Sequence, residues 1–409
     1  MKFSKSGQRL LAAAVSVGIA LGITSCGQSN TVDYLYVTAS KNNPGQIGVY
    51  YVDLLSGALT QISSSPYSSG GRNPVALVTS PNEKYLYVVN HDDNTIVEFA
   101  IGTDAKIYPQ HTYNTPGTEP TAIAINSTGT LLFVVDYYQA GYTDANPGPG
   151  AVVVYPINSD GSLGTNIANG NLPYWPVGDN PSSVNVTVPL TSATEDYVYV
   201  VNTNNASAAG TISGFSYSIA SGGGALTPLT GSPFQAGVAP NASASDPTGR
   251  FYYVTDGATN QLIAYGITQK GVLVPVQNGP FKTDVFPDAV TIDPSGMFIY
   301  VANYNSNDIS AYTINQGTGA PSSLATNIFA TKTGPTCVMV EPALGRYLYT
   351  SNFLDNSITG YQLNPNTGVL TGTENNPYPT AGQPTCTAAI THGNHATSHV
   401  QATSGNGAP

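Results

Sequence analysis

Three side chains with binding or proton-transfer chemistry lie in the first third of the chain: Arg72, His91 and Glu119. An Arg can grip a carboxylate or a phosphate, and a His or a Glu can move a proton. A plainer reading stands beside this one: Glu119 as a solvated loop acid, and His91 as the residue after a turn-forming Asn. Aromatic residues form a second candidate group, a ligand-binding face. Tyr137, Tyr138 and Tyr142 lie in or beside the long loop Gln139–Gly150, which also holds Asp144, and Tyr304 and Phe353 follow at positions matching Tyr137. Such rings suit a glycan or a partner protein. Asn90, Asp136, Asn202, Asp256, Asn303 and Asn352 invite a metal or sugar reading, but recurrence in six repeats points to turn formation instead. His392, His395 and His399 would share a helical face, yet they sit in a Gly/Ser/Thr-rich tail without a helix signal. The sequence has no Walker loop, GxSxG elbow, HExxH or CxxC pair, so neither a cofactor nor a metal is expected.

The elements that must position these residues are repeats. An alternating aromatic strand reads YLYVVN at Tyr85–Asn90, YVYVVN at Tyr197–Asn202, FYYVTD at Phe251–Asp256, FIYVAN at Phe298–Asn303 and YLYTSN at Tyr347–Asn352. Weaker copies stand at Tyr34–Ala39 and Leu131–Asp136, which makes seven. Each is followed by a polar loop and an apolar-x-x-aromatic strand, as in Ile96/Phe99 or Ile309/Tyr312, then by a turn and a weaker third strand. A further strand precedes each aromatic one and opens with Pro: Pro74, Pro120, Pro181, Pro240, Pro287, Pro335 and Pro384. Pro suits the first residue of a strand, where its missing N–H costs no ladder bond. Two residues on, the side chain is always small (Ala76, Ala122, Ser183, Ala242, Ala289, Cys337, Cys386), as crowding around a common axis would require.

Period-2 alternation, four strands per repeat and a repeat of roughly 50 residues predict an all-β, seven-bladed β-propeller with four-stranded blades. The repeats begin on a second strand at Tyr34 and end on a first strand, Pro384–Ile390. The C-terminal strand is therefore expected to pair with the N-terminal blade, which closes the ring and removes two sheet edges. Arg72, His91 and Glu119 then fall on one face, in the loops before the Pro strands and after the aromatic strands. Cys337 and Cys386 each follow Pro-Thr and are expected as reduced, buried thiols, small hydrophobes kept apart by the wedge between blades.

Composition agrees with this organisation. The 409 residues include 43 Gly, 30 Pro and 27 Tyr, and only 9% are charged, which excludes charge-driven disorder. A net charge of −11 argues against nucleic-acid binding. Residues 1–25 read as a secretory signal: Lys2, Lys5 and Arg9 precede the apolar run Leu10–Leu21, which is too short for a stable span. The run ends in Ile23-Thr24-Ser25-Cys26-Gly27, which resembles a bacterial lipobox and implies lipidation of Cys26. Residues 26–33 are then a linker, 34–390 the propeller and 391–409 a disordered tail. The expected protein is extracytoplasmic, held to the membrane through Cys26 (at the outer membrane where the cell has one), and monomeric.

The repeats resemble the YVTN group of seven-bladed propellers, which overlaps the lactonase-like propellers of the 6-phosphogluconolactonase type; the resemblance covers Tyr34 to Ile390. It implies an Arg/His/Glu site at the channel mouth that opens a lactone. This chain departs from that pattern, with no His-rich or Arg-rich run and with Arg250 and Arg346 assigned to the opposite face. The leading expectation is therefore a surface-anchored module that binds an envelope protein or glycan, with a lactonase-like hydrolase as the alternative.

Overall fold

The computed structural model describes residues 30–189, 194–204, 209–220 and 223–393. Every regular element among them is a β-strand, and the strands form seven antiparallel sheets. Their inner strands are Pro74–Thr79, Thr118–Ile125, Pro181–Val186, Pro240–Ser245, Pro287–Ile292, Pro335–Val340 and Pro384–Thr391. Each packs beside the next around one axis, and the last returns to the first. Blade 1 is the composite one: Pro384–Thr391 pairs with Thr31–Ala39, with Tyr34 opposite Ile390 and Tyr36 opposite Ala388. Blades 2 to 7 follow in chain order, with inner strands beginning near Pro74, Pro120, Pro181, Pro240, Pro287 and Pro335.

The closing pair extends beyond the repeat pattern. Its first strand starts at Thr31 and its last ends at Thr391, and the His392 N–H donates to Val32 O at 2.9 Å. Part of the expected linker is thus strand; polar Thr31 and Asp33 hid the alternation there. The signal segment, Cys26 and the tail from residue 394 onward lie outside the described residues. Among the described residues no helix is long and apolar enough to cross a membrane.

The aromatic strands are apolar on both faces because both faces are covered. Seven apolar clusters join neighbouring blades, such as Tyr87, Ile96, Leu132 and Val153 between blades 2 and 3, or Tyr199, Ile212, Tyr252 and Tyr265 between blades 4 and 5. Burying a Tyr requires a partner for its hydroxyl, and the repeat supplies one. Tyr36, Tyr87, Tyr199, Tyr253, Tyr300 and Tyr349 each donate to a turn carbonyl of the following blade: Ala105, Gly161, Gly271, Gly319, Gly368 and Gly57. In blade 3 the equivalent residue is Phe133, which packs on Tyr217 instead. A second set points backward. Tyr50, Tyr155, Tyr265, Tyr312 and Tyr361 donate to outer-strand carbonyls of the preceding blade. Each such bond contributes about 1 kcal/mol, so the high Tyr content is a set of fasteners between blades.

The small residues of the inner strands are all buried, as crowding near the axis predicted. A β-bulge follows the leading Pro, with register shifts between Pro74 and Ala76, Pro287 and Ala289, and Pro335 and Cys337. Cys337 and Cys386 are buried and free. Their sulfurs lie 3.2 Å apart, so the wedge between blades does not separate this pair.

Candidate functional site at the channel mouth

The residue before each inner-strand Pro stands at one mouth of the channel. Asn73, Glu119, Asn180, Phe286, Gly334 and Gln383 all have φ between +49° and +69°, the left-handed region. That conformation is uncommon for Glu, Phe and Gln, and the structure holds it from both sides. The ring residue's carbonyl accepts an N–H from its own blade, as Asn73 O does from His91 (3.0 Å) and Phe286 O from Tyr304 (2.8 Å). Its N–H donates to an Asn side chain of the preceding blade: Glu119 to Asn94 (2.6 Å), Phe286 to Asn260 (2.8 Å), Gly334 to Asn307 (2.9 Å) and Gln383 to Asn356 (2.8 Å). These bracing Asn residues were not singled out from the sequence. The available signal was an Asn four residues after the aromatic strand's terminal Asn or Asp, at Asn94, Asn260, Asn307 and Asn356.

The terminal Asn and Asp side chains are structural. Asn303 donates to Asp308 and Ser310, and Asn352 to Ser357 and Thr359. Asp256 accepts the Val238 and Ala239 N–H groups, and Asp136 accepts that of Gly117. Asn303 and Asn352 tie their strand end to the next strand of the same blade, and Asp136 and Asp256 tie theirs to the segment that leads into the inner strand.

Of the three candidate catalytic residues, two are held by the pair Asp92–Asp93. Arg72 donates from Nε to Asp93 Oδ1 (2.7 Å) and from Nη2 to Asp92 O (2.9 Å). His91 Nδ1 lies 2.8 Å from Asp92 Oδ1, which also accepts Asn73 Nδ2 at 3.1 Å. Burial opposes ionisation of Asp92, but the bonds from His91 and Asn73 hold its carboxyl below the usual range. The bond at Nδ1 leaves His91 Nε2 as the nitrogen available for chemistry. Glu119 differs from both: among the described residues its carboxylate has no hydrogen bond or ion pair. Burial raises its pKa, and Asp144 and Asp92 raise it further against the opposing influence of His91. The three side chains thus share one neighbourhood without direct bonds to one another.

The aromatic candidates divide as well. Tyr138 is buried, with its hydroxyl on Asp144 Oδ1 (3.1 Å) and its ring edge-to-face with Tyr137 at 4.8 Å. It fixes the loop rather than presenting a surface. Tyr142 packs over Gly148 within the same loop. Tyr137 is half-buried; its hydroxyl pKa is raised by burial first and then by Glu119, Asp144 and Asp179, which places it among the carboxylates. Tyr304 packs edge-on to Phe286 at 6.1 Å, and Phe353 is half-buried beside Gly334, whose carbonyl accepts its N–H.

A cavity of about 400 Å³ lies at the opposite mouth, where the inner strands end. All seven blades line it, through residues such as Leu77, Ile125, Val186, Ile292, Val340 and Ala389, and no charged side chain is among them. It offers nothing to transfer a proton. Arg250 lies at a turn on that face too, stacked over Phe251 at 4.9 Å. Among the described residues no group of three His, Cys, Asp or Glu side chains is placed to hold a metal. His392 lies edge-on to Tyr34 at 5.1 Å, while His395 and His399 are outside the described residues.

Comparison with known proteins agrees with this architecture. The Pseudomonas aeruginosa periplasmic gluconolactonase superposes with a TM-score of 0.70 at 18% identity, covering 88% of this chain and 99% of that one. A candidate 6-phosphogluconolactonase of Bacteroides fragilis gives 0.69 at 18% identity, covering 89% and 99%. A Lactobacillus plantarum protein gives 0.68 at 18%, covering 88% and 99%. No curated protein sequence matches. The lactonase seven-bladed β-propeller family matches residues 34–185 and 190–340, and the chain belongs to that family.

Proposed function

We propose that the chain hydrolyses a lactone at the channel mouth where the inner strands begin. The observation that carries this reading is Glu119: a carboxyl on a clamped left-handed backbone, without a partner among the described residues, its proton affinity raised by burial and by Asp144 and Asp92. A carboxyl whose proton affinity is raised in this way is suited to donating a proton in the reaction. In this reading His91, oriented through Nδ1 by Asp92, takes a proton from water at Nε2 as the water oxygen attacks the lactone carbonyl. Glu119 delivers a proton to the ring oxygen as its bond to the acyl carbon breaks. Membership of the lactonase family and the likeness to the gluconolactonase both support it.

The site's charge bears on the substrate. Asp92, Asp93, Glu119, Asp144 and Asp179 surround it, and Arg72 is already bonded to Asp93. Such a mouth repels a phosphate dianion, so the proposed substrate is an unphosphorylated sugar lactone. Purified protein should hydrolyse glucono-δ-lactone above the spontaneous rate and faster than its 6-phospho form. Glu119→Gln should reduce kcat by about 10²-fold or more. Rates no higher than buffer, with either lactone, would reject the reading.

We further infer an extracytoplasmic protein anchored through Cys26. The basic start, the apolar run and the Cys after two small residues support it, as does the periplasmic setting named for the P. aeruginosa relative. Thr31–Ala39 runs antiparallel to the closing strand. Asn30 therefore leaves at the mouth opposite Glu119, and an anchor at Cys26 would turn the proposed site away from the membrane. A second reading, binding of an envelope protein or glycan on the same face, is favoured by half-exposed Tyr137, Tyr304 and Phe353 beside exposed Val238, Val285 and Leu354. Saturable glycan binding without turnover would select it.

A further inference from the structure

Cys337 and Cys386 hold the same repeat position on the inner strands of blades 7 and 1. The sulfurs are 3.2 Å apart, and the residues are 2% and 0% exposed. The approach is built in by the surrounding bonds. The Thr336 hydroxyl reaches the carbonyls of Pro384 and Thr385, both at 3.3 Å, and draws the two strands side by side. The Thr387 N–H points at Cys337 Sγ at 3.3 Å, and the Cys386 N–H is held by the Thr38 hydroxyl at 3.1 Å. Packing alone does not require sulfur here, since Ala fills the position in blades 2, 3, 5 and 6. The junction also matters mechanically. The C-terminal strand has a backbone ladder to Thr31–Ala39, but none to blade 7.

We propose that Cys337 and Cys386 are a disulfide-forming pair whose oxidation covalently closes the ring between blade 7 and the C-terminal strand. The oxidant is a disulfide, either small-molecule or protein. One Cys thiolate attacks a sulfur of that disulfide and expels the other sulfur as a thiolate. The second Cys, giving up its proton, attacks the mixed disulfide, forms the Cys337–Cys386 bond and releases the remaining thiolate. The two cysteines lose two electrons and two protons, and the oxidant's S–S bond is reduced to two thiols. Because both sulfurs are buried, exchange occurs before the C-terminal strand docks or when it opens.

The test uses the full chain, unfolded with reductant and refolded in reduced and oxidised glutathione, then alkylated under denaturing conditions and mapped without reduction. The expected result is a joined peptide pair carrying Cys337 and Cys386, and an intact mass lower by two hydrogens. The bond closes a loop between residues 49 apart, so its reduction should lower Tm by about 5 °C. Cys337→Ala and Cys386→Ala should fold, since Ala serves in four blades, and should lose both the joined peptide and the sensitivity of Tm to reductant. Recovery of both cysteines alkylated after oxidative refolding, or joined to Cys26 or glutathione instead, overturns the proposal.

Discussion

Asp136→Asn should remove a pH dependence from the stability of this propeller. Asp136 is fully buried; one carboxylate oxygen accepts the Gly117 N–H at 2.8 Å, and the other has no hydrogen-bond partner among the described residues. Burial pushes its pKa from 3.8 up to about 7, against the lowering influence of Gly117 and Thr115. The sign follows from the direction of that shift. Between about pH 4 and pH 7 the folded state keeps a proton that the unfolded state has lost, so stability falls as pH rises. The contribution is complete below the unfolded pKa and gone above the folded one. A shift of about three pKa units corresponds to about 4 kcal/mol. Asn occupies the equivalent position in blades 2, 4, 6 and 7, as Asn90, Asn202, Asn303 and Asn352, so the backbone accepts it there. Urea unfolding of both proteins from pH 4 to pH 8 provides the assay. The difference in unfolding free energy should move by about 4 kcal/mol in favour of the variant as pH rises. Other buried carboxyls with raised pKa values, Asp33 and Asp196, cancel in that difference. A difference that stays flat across the range would refute the reasoning.

Tyr253→Phe should cost about 1–3 kcal/mol, because it leaves the Gly319 carbonyl buried without its donor; a denaturation midpoint unchanged from the parent would show that the hydroxyl is no fastener. Deleting Pro384–Ile390 removes the partner of Tyr34–Val37 and exposes an edge. The truncated chain should aggregate or melt well below the parent, and light scattering with a thermal scan checks this.

The architecture was largely legible from the residues. Strand type, blade number and closure all follow from local signals repeated seven times: alternation, a leading Pro, and a chain that begins and ends within one blade. Local signals of that kind survive translation into structure because each blade solves the same packing problem. The structural role of Asn90 and its equivalents was readable for the same reason. The site was legible only as a neighbourhood. Arg72, His91 and Glu119 could be assigned to one face, but not the capture of Arg72 by Asp93, nor the way His91 turns Nδ1 to Asp92. Those outcomes depend on which of several nearby partners a side chain reaches, and that is set by loop geometry between blades. Tyr138 resembled a surface ring, but its hydroxyl is spent on Asp144 inside the loop. The thiol pair marks the clearest boundary between the two. Sequence placed Cys337 and Cys386 at one repeat position and made them small and buried; only the convergence of inner strands at the axis decided that their sulfurs meet at 3.2 Å. The separation is set by how closely two neighbouring inner strands approach near the axis, and no pattern within one repeat carries that distance.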